Sequence, residues 1–494
     1  MTNDHLNLDE AAEWTGLWWL PDFPDEQVPG ILRYDGEGGL SLLLIGAFED
    51  RIYSTPAPGI TCYHEGTRTW DVIHGKVELR DVTLLDCIPI STERFHSLQM
   101  EDAAKQTIIA RMGVIGVHIE GDEDEVFTAA AVSVDDLCLW AESSVFKSLF
   151  GTADGKLDGT GMLSVAPVEM ETAVVNDTEY RLEHAYFLPS FEWRRGEVVG
   201  RMRDSVSIRI LRTEAFALKT ALEAVSLIQD LIALATHRPA GVIWMQLEIG
   251  GTESGMQEGL PLQRRRANVL YSPVAVGKHN EKAIDYRSVL FTCEMLSFQE
   301  VIPRWCDVRA RLQEAINMIL GLRYAPAHFV ENNLLMAVGA AEALHRGLGI
   351  EEKPIPKAEF EEIRNAMLDQ VPEEYRGRFK QAIRNSPTLC DRLLALAARP
   401  DQEAVRQLVP NIDHWAKRTT RARNDLAHEG KAPRHSIEEL NAIVSSTSAV
   451  VILNILYELG LPAERQREIV RDNSQLQMVC EEARRWLVPP EGDS

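Results

Sequence analysis

The sequence predicts an α+β protein: a β-rich N-terminal region, sandwich- or barrel-like, followed by an all-α helical bundle. Three observations predict it. Short apolar runs alternate with Gly, Pro and Asp turn signals through residues 14–212. From about Gln299 the pattern changes to longer helical-period segments punctuated by prolines. The charge divides in the same way. The whole chain carries 51 Lys+Arg against 75 Asp+Glu, a net of −24. Residues 305–494 hold 25 and 28 of these, so residues 1–304 hold 26 and 47, a net of −21. A length of 494 residues allows roughly two to four domains. We place the division at 1–298 and 299–494.

In the first region, strands are expected at Gly30–Tyr34, Leu40–Ile45, Gly59–Tyr63, Val77–Leu85, Thr107–Ile119, Val126–Val134 and Val206–Leu211, where β-branched and apolar residues run between turn residues. Strands at this spacing build sandwiches and barrels. A helix is expected over Glu214–Thr236, with Leu218, Leu222, Val225, Leu231 and Leu234 on its apolar side and Arg238-Pro239 ending it. Further strands are expected at Val242–Ile249, Asn268–Val276 and Ser288–Cys293. The acidic run Gly121–Glu125 reads as a solvated turn, with a cation site of irregular ligand spacing as the alternative. Arg264-Arg265-Arg266 reads as an exposed loop, with a phosphate or docking patch as the alternative.

The second region divides into helices at 299–322, 328–347, 357–370, 373–385, 388–398, 402–428, 436–459 and 463–487, with Pro410 positioned to split the sixth. Ser436 and Glu439 form a capping-box pattern before the apolar helix Ile437–Tyr457. That stretch is uncharged from Leu440 to Tyr457, but Asn441, Ser445, Ser446, Thr447, Ser448 and Asn454 mark it as a helix buried in protein.

An apolar share of 45% and a charged share of 26% exclude disordered, collagen-like and disulfide-scaffold classes. The overall acidity argues against a broad nucleic-acid binder. The first residues have neither a basic start nor an apolar signal core. Seven scattered cysteines (Cys62, Cys87, Cys138, Cys293, Cys306, Cys390, Cys480) include no CxxC pair, so reduced thiols in a cytoplasmic protein are expected, without a zinc site. No cofactor or metal is called for.

One stretch runs against the overall charge. Residues 414–435 carry six Lys/Arg and two Asp/Glu, a local net of +4. Within it, Trp415, Thr419, Ala422 and Leu426 recur at helical spacing and face the bundle, and Gly430 suits a helix C-cap. Arg423 and His428 form an Arg-x-x-x-x-His pair. With 39 Arg and 13 His, roughly one such pair is expected by chance, and Arg323 with His328 is a second. The pair at 423 and 428 differs in context: Asn424 follows the Arg, the helix lies late in the bundle, and the surroundings are basic. His is the natural proton carrier near neutral pH, and Arg offers a planar fork to phosphate oxygens. On a regular helix the two residues lie about 140° apart, so either the helix ends before His428 or another chain completes the site.

This context, Arg423-Asn424-Asp425-Leu426-Ala427-His428, resembles the HEPN superfamily of helical bundles, whose ribonuclease members carry this signature. Independently, Trp14-Thr15-Gly16-Leu17-Trp18-Trp19-Leu20-Pro21, Pro29-Gly30-Ile31-Leu32 and Leu42-Leu43-Leu44-Ile45-Gly46-Ala47-Phe48 resemble the start of the N-terminal domain of ApeA-type proteins. That family joins such a domain to a C-terminal HEPN domain. The resemblance implies anti-phage defence through abortive infection and metal-independent RNA cleavage, with Arg423, Asn424 and His428 catalytic. It also implies an RNA substrate, a homodimer with a composite site, and an N-terminal region that senses a phage-derived trigger. Lys417, Arg418 and Arg421 are candidate RNA contacts. Two rivals are carried: a HEPN domain that binds without cutting, and a hydrolase or carbohydrate-binding module in the acidic half, where no acid pair, nucleophile elbow or P-loop is recognisable.

Overall fold

The computed structural model describes residues 5–48, 51–57, 60–65, 68–93, 105–249, 265–278, 285–350 and 354–488. Arg264 and part of the expected Gly59–Tyr63 strand lie outside them, as does the side chain of Cys62. The chain forms two compact units. One comprises Met1–Ile284 with Thr292–Pro303, and the other Asp285–Phe291 with Arg304–Ser494.

The first unit opens with β1 (Ala12–Trp19), β2 (Val28–Tyr34) and β3 (Leu40–Ile45). These are followed by the hairpin of β4 (Arg51–Ala57) and β5 (Ile60–Glu65), and then by β6 (Trp70–Val77), β7 (Arg80–Glu93) and β8 (Lys105–Ile115). Among the described residues six of these strands close into an antiparallel barrel in the order β8-β3-β2-β1-β6-β7, with β7 returning to β8. Closure leaves none of the six with an open edge. Alternation sets the inside: Leu40, Leu42 and Leu44 are buried and Ser41 and Leu43 are not. The Trp18 ring fills the space that a Cβ at Gly75 would occupy, so the barrel wall requires glycine there.

β8 is where the barrel ends and a second sheet begins. β7 pairs with it along its whole length. On its other edge, Lys105–Ala110 pair with β3 and Met112–Ile115 pair with β16 (Arg266–Tyr271). From β16 the sheet continues through β15 (Val242–Ile249), β9 (Phe127–Val134), β14 (Glu197–Phe216) and β13 (Thr178–Arg194) to β12 (Glu171–Val175). A short helix α1 (Leu137–Ala141) and a hairpin of β10 (Phe146–Ala153) and β11 (Lys156–Val165) lie between β9 and β12 in the chain. Helix α2 (Leu218–Thr236) packs on β9 and β14, and its Leu218, Val225 and Ile228 are buried.

Three expectations need correction here. The run Val77–Leu85 is not one strand: Glu78 and Leu79, both at positive φ, make a two-residue turn between β6 and β7. Neither residue is a turn former, so the break leaves no compositional trace. The run Ser288–Cys293 is not a strand; Tyr286–Ser288 is a 3₁₀ turn, and Leu290 and Phe291 are buried as irregular chain. Helix α2 begins at Leu218, because Glu214–Phe216 complete β14.

The second unit is helical. Its elements are α3 (Phe298–Arg311, which crosses the division at Pro303), α4 (Gln313–Tyr324), α5 (Val330–Gly347), α6 (Lys357–Asp369), α7 (Glu373–Ala382) and α8 (Leu389–Ala397). They continue with α9 (Gln402–Leu408), α10 (Ile412–Glu429), α11 (Ile437–Glu458), α12 (Ala463–Asp472) and α13 (Ser474–Trp486). Pro410 does divide the sixth expected helix, and Asn411 caps the new start. The last expected helix is also two, because Asn473 ends α12 and caps α13, its side chain accepting from the N–H groups of Gln475 and Leu476.

Helix α11 is the axis of this unit and packs against α4, α5, α8, α9, α10, α12 and α13. Neighbours on all sides explain why it is apolar all round. It is long and apolar enough to cross a membrane, but 72% of its apolar window is buried inside the protein. Its buried Asn454 donates to Leu396 O (3.0 Å) and Val450 O (2.8 Å).

Candidate functional site

Helix α10 carries the basic stretch. Its start is set by Asn411, whose side chain accepts from His414 N at 2.9 Å. Its end is set by Gly430, left-handed at φ 71°, whose N–H returns to Leu426 O. Trp415, Ala416, Thr419, Ala422 and Leu426 are buried against the bundle, in agreement with the helical spacing. The polar residues then fall into place by angle. At about 100° per residue, His414, Lys417, Arg421, Asn424 and His428 occupy an arc of about 80°. Arg423 lies about 140° from His428, on the other flank.

The six sequence candidates therefore separate. Lys417, Arg421, Asn424 and His428 are exposed along one stripe. Arg423 is half-buried; it donates to Glu342 Oε2 on α5 at 3.5 Å and to Asn424 Oδ1 at 3.4 Å. Because the helix runs on to Glu429, it does not end before His428, and within one chain the two residues stay on different flanks. The other Arg-x-x-x-x-His pair is unlike it: burial lowers the pKa of Arg323 to about 10, and His328 lies in the link before α5.

Arg418 is committed to structure. Its guanidinium makes two bonds to Glu439 of α11, at 2.5 and 2.6 Å, and a third to Arg434 O at 2.9 Å. His435 Nδ1 stands 3.1 Å from Arg418 and 3.2 Å from Glu439, and its tautomer selects which of them it bonds. Burial would raise the pKa of Glu439. Hydrogen bonds from His435 and Arg418, with their charges, outweigh it and hold the carboxyl at about 2. Glu439 is thus not the returning half of a capping box. Ser436 Oγ accepts from Glu439 N at 3.1 Å, but the carboxylate turns to Arg418 instead.

Beside the stripe lies a cleft of about 900 Å³, lined by Lys417, Arg421 and Asn424 together with His414, Arg434 and Trp486, among others. Sequence reasoning missed the last three. His414 was legible: it precedes Lys417, Arg421, Asn424 and His428 by 3, 7, 10 and 14 residues, the recurrence of one helix face. Arg434 and Trp486 come from elsewhere in the chain and had no local signal. Burial first, and then the charges of Arg418 and Lys417, push the His414 pKa below its ordinary value despite Glu439, so its ring is neutral at pH 7.

Elsewhere the charged runs are largely internally compensated. In the acidic turn, Asp122 lies 3.4 Å from Arg111 and Glu123 lies 2.7 Å from Lys219. Arg265 and Arg266 face Asp81 (3.4 Å) and Glu248 (3.6 Å). Among the described residues no three His, Cys, Asp or Glu side chains converge as a metal site requires, and Cys87, Cys138, Cys293, Cys306, Cys390 and Cys480 are free thiols.

A barrel-and-sheet unit joined to a helical bundle, with a cationic, histidine-bearing stripe on a late helix, defines a two-part protein. The comparison with family models is specific. Residues 13–305 match ApeA N-terminal domain 1, more than half of the chain, and the protein belongs to that family. Residues 335–465, from α5 into α12, match the Apea-like HEPN domain and contain the Arg423–His428 segment. Together these support an anti-phage defence protein with a HEPN domain. No curated protein and no solved structure matches the chain.

Proposed function

We propose that this protein is a metal-independent HEPN endoribonuclease of the cytoplasm that acts in anti-phage defence by abortive infection. Residues 1–298 form the sensing and restraining region and residues 299–494 the nuclease. The observation that carries the reading is the position of His428. It is exposed in the last turn of α10, at the end of the stripe that bears Lys417, Arg421 and Asn424, in a basic stretch of an acidic chain.

In the proposed reaction His428 removes the proton of a ribose 2′-OH. The oxygen attacks the adjacent phosphorus, the P–O5′ bond breaks, and the proton taken up by His428 passes to the leaving 5′ oxygen. The products are a 2′,3′-cyclic phosphate and a 5′-hydroxyl. Arg423 binds the non-bridging oxygens where charge accumulates, and Asn424 orients the phosphate or the His428 ring. Lys417 and Arg421 hold flanking phosphates. Arg418 serves indirectly, by holding the link before α11.

Arg423 and His428 lie on different flanks of one α10, so the complete site pairs His428 of one chain with Arg423 of a second in a homodimer. The N-terminal region, at net −21, restrains the basic stripe until a phage-derived component binds it. A non-catalytic HEPN scaffold is the second reading, favoured by the Arg423–Glu342 contact, which faces Arg423 away from His428 within one chain.

The test is cleavage of RNA by the purified full chain in EDTA. His428→Ala and Arg423→Ala should each lower the rate by about 100-fold or more. Cleavage that persists undiminished in both variants overturns the catalytic assignment, and RNA binding with no cleavage by the wild type supports the scaffold reading.

A further inference from the structure

The cleft beside α10 is larger than the proposed chemistry needs, and His428 and Arg423 do not line it. Its volume of about 900 Å³ lies within the range of small-molecule and cofactor sites. Four cations and two carboxylates, Asp425 and Glu439, border it; three of the cations matter here, Lys417 and Arg421 on α10 and Arg434 in the link to α11. All three are exposed, and none has a carboxylate within 4.0 Å among the described residues. Arg418, on the same rim, contrasts with them, since Glu439 neutralises it. With Glu439 paired to Arg418 and Asp425 the other acid of the lining, the cavity keeps a net positive charge in a chain that is acidic overall.

The cavity also has an aromatic wall. Trp486, at the end of α13, lines it, and the Arg485 guanidinium already lies 5.2 Å from the centroid of that ring. An indole in such a site offers a flat π surface to a base, a mode that tolerates any sequence. The remaining wall includes His414, whose neutral ring supplies a hydrogen bond without adding charge. A simple anion has no use for the indole, and an apolar peptide none for three cations. A base linked to phosphates uses both.

Position adds the last element. From Arg421 to His428 is seven residues along one helix face, about 10 Å. A strand seated in the cleft therefore reaches His428 beyond the seated nucleotide, not at it.

We propose that this cleft is a nucleotide subsite for single-stranded RNA: Trp486 stacks one base, and Lys417, Arg421 and Arg434 hold the phosphates that lead to His428. This rests on the RNA-cleaving reading and adds to it a positioning site outside the reacting atoms.

The experiment measures binding of a fluorescein-labelled 2′-O-methyl RNA 12-mer to the full-length protein by anisotropy. The probe has no free 2′-OH, so binding is read without cleavage. Trp486→Ala should weaken binding by about 5- to 100-fold, and Trp486→Phe should stay within about 3-fold of wild type. Arg421→Ala and Arg434→Ala should each weaken binding and reduce the salt-dependence slope by about 0.7, one phosphate contact on a single strand. The exposed arginines keep the test valid if Trp486→Ala fails to fold. Wild-type affinity in both arginine variants and in a folded Trp486→Ala overturns the subsite. A second arm competes the probe with adenosine and uridine monophosphates. Displacement by a mononucleotide at the concentration at which unlabelled 12-mer displaces identifies a free nucleotide as the occupant and overturns the RNA assignment. If these variants lose binding while His428→Ala still cleaves, the subsite stands and the catalytic assignment fails. If the wild type does not bind the 12-mer, the subsite fails, and the catalytic assignment is judged by the cleavage assay alone.

Discussion

Replacing Glu439 by Gln isolates the clamp that holds α10 to α11. Glu439 is 12% exposed and Arg418 21%, so solvent screens the pair only weakly. The folded environment lowers the carboxyl pKa from 4.5 to about 2, the hydrogen bonds and charges of His435 and Arg418 outweighing the opposing effect of burial. At 1.36 kcal/mol per pH unit this fall corresponds to about 3 kcal/mol of stability at pH 7. A depressed carboxyl contributes fully above its unfolded value and loses that contribution as pH falls toward the folded one. Glu439→Gln should therefore cost about 3 kcal/mol at pH 7, and the gap to wild type should narrow to roughly 1 kcal/mol at pH 3. Urea unfolding of the full chain measures it, followed by far-ultraviolet circular dichroism, whose helical signal comes mainly from the second unit. Equal stability at pH 7, or a gap that does not change between pH 7 and pH 3, refutes the reasoning.

Other perturbations test other parts of the molecule. Mixing Arg423→Ala with His428→Ala subunits should restore about a quarter of wild-type cleavage, since random exchange makes half the dimers mixed and each has one intact composite site; no recovery after demonstrated exchange refutes the composite site. Glu342→Gln should change stability by less than about 1 kcal/mol while raising RNA affinity, because Arg423 loses the carboxylate it now faces. Gly430→Ala should cost about 1 kcal/mol in thermal unfolding from its left-handed φ alone, since nothing lies within 4 Å of the added Cβ. Gly75→Ala should cost about 1–3 kcal/mol or more, because its Cβ would enter the Trp18 ring, and an unchanged melting temperature would contradict the barrel packing.

Much of the fold was legible because its signals are local. The alternation of Leu40–Ile45 and the run Val242–Ile249 show their strands directly. Pro410, Gly430 and Ser436 mark helix ends by the chemistry of their own backbones. The turn at Glu78–Leu79 was not legible, since its positive φ values are imposed by strand pairing on residues that do not prefer them. Nor was the break at Leu312 between α3 and α4, where neither proline nor glycine stands.

The site divides along the same line. Sequence alone determined that α10 is a helix, that Trp415, Thr419, Ala422 and Leu426 face inward, and that Arg423 and His428 lie on different flanks, because all of this follows from 100° per residue. Only the tertiary structure decided which cations are committed. Arg418 and Arg421 are one turn apart and equivalent in sequence, yet Arg418 is bound to Glu439, 21 residues away, and Arg421 opens on a cleft whose aromatic wall comes from α13. Barrel closure is decided in the same way, by β7 returning to β8 after β8 has already paired with β3. Local periodicity reports a residue's own backbone; the partner of its side chain depends on packing between segments distant in the chain.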